Sequence, residues 1–105
     1  RMRIVEDSAG KMNESVLENG GYVLAVSQFT LLADTSRGRR PGFEAAAKPE
    51  EAEGVYTHFV AQLKAQGCLV QCGVFGAHMQ VRLTNDGPVT IMLHSPHSQR
   101  RVTHE

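Results

Sequence analysis

Three hydrogen-bonding side chains interrupt an otherwise apolar run. Ser27, Gln28 and Thr30 stand within Tyr-Val-Leu-Ala-Val-Ser-Gln-Phe-Thr-Leu-Leu, residues 22–32. Polar groups inside a buried segment need partners or a ligand. A hydroxyl and an amide there can hold a substrate carbonyl, or they can satisfy backbone groups. The two-residue period of a strand sets Ser27 and Phe29 on one face and Gln28 and Thr30 on the other. No neighbouring His, Asp or Lys activates Thr30, so a hydroxyl nucleophile has no evident base. A second constellation is Asn85-Asp86-Gly87-Pro88-Val89-Thr90. The Gly87–Pro88 bond has a reduced trans preference, and Gly87 has no Cβ to crowd a cis form. As a cis bond it aligns two carbonyls into an acceptor pair for a ligand's ammonium group. As a trans bond it is a hairpin turn in which Pro88 starts a strand.

Three further groups admit both a chemical and a structural reading. Phe75-Gly76-Ala77-His78-Met79 offers an aromatic, small residues and a soft thioether, or simply core at a strand bend. Arg37, Arg39 and Arg40 around Gly38 can hold phosphates or form a solvated loop. Cys68 and Cys72, and His94 and His97, match no standard zinc spacing, so no metal is expected.

These residues must be positioned by few elements. Ile4-Val5 runs into the polar turn Glu6–Gly10, and Ser15–Leu17 into Asn19-Gly20-Gly21, which suits a tight hairpin. Residues 22–32 predict a strand buried on both faces. Residues 33–42 are a loop, and 43–48 a helical turn or irregular chain. Ala52, Val55, Tyr56, Phe59, Val60 and Leu63 form one stripe at helical period, predicting a helix from Pro49 to Gln66. Pro49 suits the first helical position, Glu50, Glu51 and Glu53 oppose the dipole, and Gly67 stops it. Strands are expected within 68–75, in the alternating Met79–Thr84, and in Pro88–Leu93. The expected class is α+β, a mostly antiparallel sheet covered by one long helix.

The chain of 105 residues is one domain's length. Eleven basic and eleven acidic residues cancel, which argues against a generally basic nucleic-acid binder and leaves room for a local patch. No apolar run approaches the roughly 20 residues of a membrane span. Two cysteines make no disulfide framework, so a reducing cytoplasmic compartment is the expectation.

Taken together, Ser27-Gln28-Phe29-Thr30-Leu31 and Asn85-Asp86-Gly87-Pro88-Val89-Thr90 resemble the D-aminoacyl-tRNA deacylase family. Gly10–Asn13, Ala33–Thr35, Arg40–Phe43, Ala52-Glu53 with Tyr56 and Phe59, and the Gly73–Val81 stretch also resemble family positions, in family order. The likeness runs over about residues 3–93. It implies a partly closed barrel within one domain, residues 1–93; the polar composition of 94–105 predicts a tail that frays. The resemblance further implies that the family's N-terminal strands and helix are missing here, leaving a sheet edge exposed.

For function, the resemblance implies hydrolysis of the ester between a D-amino acid, or glycine, and the terminal adenosine of tRNA. No cofactor is implied. The implied partner is a second copy, with the Gly87–Pro88 motif inserted across subunits. A cis Gly87–Pro88 would bind the substrate's amino group and leave no room for an L side chain. Ser27, Gln28, Phe29 and Thr30 would line the adenosine and ester end. Phe75 and Met79 would pack on the terminal base, with Ala77, Asn85 and Thr90 also substrate-binding. The tRNA's own 2′-hydroxyl would assist hydrolysis, with Thr30 as nucleophile the competing mechanism. From charge alone, Arg37, Arg39, Arg40 and Lys48 are the expected tRNA contacts. Two alternatives accompany this reading: a non-catalytic tRNA-end binding or dimerisation module, and a Gly-transPro branch acting on mischarged L-alanine.

Overall fold

Residues 2–96 are described by a computed structural model. Asp7 makes the first turn: its carboxylate accepts N–H groups from Ala9 and Lys11 at 2.9 and 3.0 Å. Gly10 there takes the left-handed φ of 81°. The turn joins β1 (Val5–Glu6) to β2 (Met12–Glu14) as an antiparallel pair with an irregular register.

The expected hairpin at Asn19–Gly21 is instead the end of a helix, α1 (Val16–Asn19). Ser15 and Glu18 close it reciprocally, Ser15 Oγ accepting from Glu18 N–H at 3.1 Å and Glu18 Oε1 from Ser15 N–H at 2.9 Å. Gly20, at φ 76°, supplies the left-handed cap of the helix and not a hairpin turn. Ser15 is only 3% exposed. Ser15→Ala is therefore expected to cost about 1 kcal/mol, read as a lower urea midpoint with an unchanged slope.

The central unit is β3 (Tyr22–Ala25), α2 (Pro49–Ala65) and β4 (Leu69–Cys72). β3 and β4 are parallel, in the register Tyr22–Leu69 to Ala25–Cys72. A helical crossover returns the chain in the same direction, which corrects the mostly antiparallel expectation. Among the described residues the sheets are two separate two-stranded pairs, and no closed barrel forms. α2 runs close to its predicted limits. It ends in a Schellman arrangement, with Cys68 N–H on Leu63 O at 3.1 Å, Gly67 N–H on Lys64 O at 3.0 Å, and Gly67 at φ 97°.

Three other strand expectations fail. The 22–32 run is strand only to Ala25, and Phe29–Leu32 is a 3-10 turn. Tyr22 (76% exposed) and Leu24 (61%) show that the strand is covered on one face only. The alternating 79–84 segment and 88–93 form no ladder among the described residues. The core is small. Ala25, on β3, and Val60, on α2, are the buried apolar residues among those described. The predicted helix stripe divides: Ala52, Tyr56, Val60 and Leu63 turn inward, while Val55 and Phe59 are exposed. Of the expected tail, His94, Ser95 and Pro96 are exposed and 97–105, with His97, lie outside the described residues.

Candidate functional site

The candidate residues follow the carboxyl ends of the parallel strands. β3 runs through Val26 into Ser27, Gln28 and the 3-10 turn, while β4 runs into Gly73–Met79. Loops at the carboxyl ends of parallel strands are where such units bind ligands. One backbone carbonyl binds these parts together. Ala25 O accepts the Tyr56 hydroxyl at 2.8 Å and the Gly73 N–H at 3.0 Å. Tyr56 therefore ties α2 to both strand ends, and its ring lies 5.9 Å from that of Phe75. Burial, and then the adjacent Cys72 thiol, push the Tyr56 hydroxyl above its ordinary range.

Gly73 permits a close approach. A Cβ built there would lie 2.8 Å from Met79 Sδ and 3.8 Å from Val26 Cγ1. The Met79 thioether thus rests over bare backbone beside the segment leading to Ser27. Ser27 is half-buried, and Gln28, Phe29 and Thr30 are exposed. The end of β3 at Ala25 overturns the alternating faces expected for Ser27–Thr30. Phe29 packs edge-on against Phe43 at 5.1 Å, which joins the turn to the loop that follows it. Gln28 precedes the turn in extended conformation and makes no side-chain cap. The Thr30 hydroxyl has no hydrogen-bond partner among the described residues, while its carbonyl accepts Ala33 N–H at 3.1 Å.

The second constellation lies on an exposed loop. The Gly87–Pro88 peptide bond is cis. A Cβ at Gly87 would collide with the backbone nitrogen of Val89 and stand 3.3 Å from Asn85 Oδ1. Asn85, Gly87, Pro88 and Thr90 are all exposed. No hydrogen bond or ring contact among the described residues links this loop to Ser27–Thr30. Ala77 is exposed, its N–H on Val74 O at 3.2 Å.

The basic loop is built separately. Asp34 and Gly42 form a β-bridge with both N–H groups donating across it, at 2.7 and 2.8 Å. Asp34 Oδ1 accepts the Ser36 hydroxyl at 2.6 Å and its N–H at 2.9 Å. Those bonds, the hydroxyl's first, hold the Asp34 carboxyl below its ordinary range. Arg37, Arg39 and Arg40 are exposed and lack hydrogen-bond or ionic partners among the described residues. Lys48 is the exposed residue before α2. No group of three metal-ligating side chains occurs among the described residues.

Tyr56 was placed on the inner stripe from the sequence, but its site role was missed. The available signal was an aromatic residue with a polar tip among inward-facing apolar neighbours.

The architecture and the placement of these loops define an α+β domain that presents its polar candidates beyond the carboxyl ends of a parallel strand pair. The family follows from comparison. A model described as D-Tyr-tRNA(Tyr) deacylase matches residues 1–94, and the chain belongs to that family. It is 58% identical over 94 residues to a D-aminoacyl-tRNA deacylase of Symbiobacterium thermophilum, covering 90% of this chain and 62% of the relative. It is 61% identical over 93 residues to one from Ruegeria pomeroyi, covering 89% of this chain and 64% of the relative. The chain therefore spans under two thirds of the length of these relatives. Among solved structures it is similar to c-Myc DNA Unwinding Element Binding Protein, with a TM-score of 0.79 and 44% identity. That likeness covers 90% of this chain and 65% of the other. No helix among the described residues is long and apolar enough to cross a membrane.

Proposed function

We propose that this chain carries the substrate-binding and hydrolytic part of a D-aminoacyl-tRNA deacylase acting in the cytoplasm. The observation that carries the reading is the family match across residues 1–94, which contains both constellations. In the reaction, water adds to the aminoacyl carbonyl and the ester bond to the terminal ribose breaks. The products are the free D-amino acid and tRNA with its hydroxyl restored.

Ser27, Gln28, Phe29 and Thr30 receive the adenosine and ester, with Phe75, Ala77 and Met79 beside the terminal base. The Phe29 and Thr30 N–H groups open the 3-10 turn, and they are the proposed donors to the developing oxyanion. Gly87 and Pro88, flanked by Asn85 and Thr90, present carbonyls to the substrate's amino group and leave no room for an L side chain. The exposed Gly87–Pro88 loop, with no hydrogen bond or ring contact to Ser27–Thr30 among the described residues, is consistent with a homodimer in which each subunit's Gly87–Pro88 completes its partner's pocket. Arg37, Arg39, Arg40 and Lys48 contact the acceptor end. The structural neighbour, named for binding a DNA element, supports a surface suited to nucleic acid.

D-Tyr-tRNA and L-Tyr-tRNA decide the reading. Release of D-tyrosine with L-Tyr-tRNA left intact is expected, and equal release would overturn it. The short span relative to the curated relatives favours one second reading, a binding or dimerisation module without turnover. That module would bind tRNA in a salt-sensitive manner and release neither amino acid.

A further inference from the structure

We propose that the 34–42 loop is a preassembled grip for backbone phosphates of the acceptor-end RNA, with Arg37 and Arg40 as phosphate ligands and Asp34 as the residue that holds its shape. The proposal rests on the tRNA reading above and adds how the RNA is held.

The loop is fixed at three points without help from the core. The Asp34–Gly42 bridge closes its base with bonds of 2.7 and 2.8 Å. The Asp34 carboxylate, bonded to Ser36 N–H and Oγ, sets the first turn. Gly38, at φ 64°, provides the left-handed residue that reverses the chain. Arg37 and Arg40 reach a recess of about 380 Å³ that Ser36, Gly42, Asp34 and Glu44 complete.

A solvated arginine loop needs no such construction, and its guanidinium groups commonly pair with nearby carboxylates. Here both carboxylates at the recess leave the arginines free among the described residues: Asp34 is engaged by Ser36, and Glu44 makes no ion pair. Guanidinium forks match phosphate oxygens in a bidentate manner. The free Glu44 carboxylate disfavours a doubly charged free phosphate more than a singly charged phosphodiester. It can also accept a ribose hydroxyl beside that phosphodiester. The polymer backbone is therefore the fitting occupant.

The test is binding of an acceptor-stem RNA hairpin to the full chain across a salt series. Arg37→Gln with Arg40→Gln should lower the slope of log affinity against log salt by about two. Lys64→Gln, on α2, should leave that slope as it was. Asp34 separates the grip from simple charge. Asp34→Ala adds positive character, so Coulomb attraction alone predicts tighter binding. A shaped grip predicts binding weaker by about three- to tenfold, because the Ser36 turn is released. Asp34→Asn keeps an acceptor oxygen and should bind at least as tightly as the parent. The proposal is overturned if Asp34→Ala tightens binding as Asp34→Asn does, or if the double arginine variant keeps the parental slope. Competition by low concentrations of inorganic phosphate would also overturn it, in favour of a free-phosphate seat. Hydrolysis of 3′-O-(D-tyrosyl)adenosine by the parent chain, a substrate with no phosphate, judges the deacylase reading independently. Its failure would remove that reading while the slope and the Asp34 variants still decide the loop.

Discussion

Gly87→Ala is expected to reduce release of D-tyrosine from D-Tyr-tRNA by about 100-fold or more, a loss of about 2.7 kcal/mol in transition-state stabilisation. The reason lies in what a methyl group would meet. Its first contact is the backbone nitrogen of Val89, with Asn85 Oδ1 next. Rotating a side chain cannot relieve a clash with backbone, so the 85–89 segment must move as a unit. That displaces the carbonyls proposed to hold the substrate's amino group, and a misplacement of about 1 Å is enough for a loss of this size. Stability should stay within about 0.5 kcal/mol, because the loop is exposed and lies outside the core. Urea unfolding beside the kinetic assay separates the two effects. Turnover near the parental rate would show that this loop does not receive the reacting end.

The candidate residues stand out in the sequence because their types and order are unusual for the elements around them. The way they are held does not, because it depends on long-range contacts. Nothing in the spacing from Ala25 to Tyr56 announces that a tyrosine hydroxyl will share a carbonyl with the Gly73 N–H. The same is true of Met79 resting over Gly73, and of the Asp34–Gly42 bridge that turns a polar stretch into a defined loop. Only a glycine in a strand pattern hinted at the close approach.

The fold divides along similar lines. α2 was readable nearly to the residue because its signals are local: an amphipathic repeat, Pro49 at the start and Gly67 beyond the end. The 22–32 run was misread because an apolar, β-branched stretch has the same composition whether it continues as strand or tightens into a 3-10 turn. The alternation at 79–84 marks a chain with two unlike faces. It cannot supply the neighbouring edge that ladder hydrogen bonds require, and no described strand provides one. Parallel pairing of β3 and β4 likewise follows from the helix between them and not from either strand's residues.

The second large effect concerns the substrate. D-Tyr-tRNA ending in 2′-deoxyadenosine should be hydrolysed about 100-fold or more slowly than the ribo form, each measured against its own uncatalysed rate. An ester needs an activated water and a place for developing charge. The proposed site offers the second through the N–H groups at Phe29 and Thr30. For the first, no described residue is hydrogen-bonded to Thr30 as a base: its exposed hydroxyl has no hydrogen-bond partner among the described residues. A hydroxyl without a base is a weak nucleophile. The hydroxyl adjoining the ester on the ribose is already within reach of the reacting centre, so it can orient water or share a proton at no cost in positioning. Removing it should lower turnover while leaving affinity little changed, since phosphate and base contacts remain. The opposite pattern would assign the nucleophile to Thr30: the deoxy substrate cleaved within about threefold of the ribo form, with Thr30→Ala inactive and still folded.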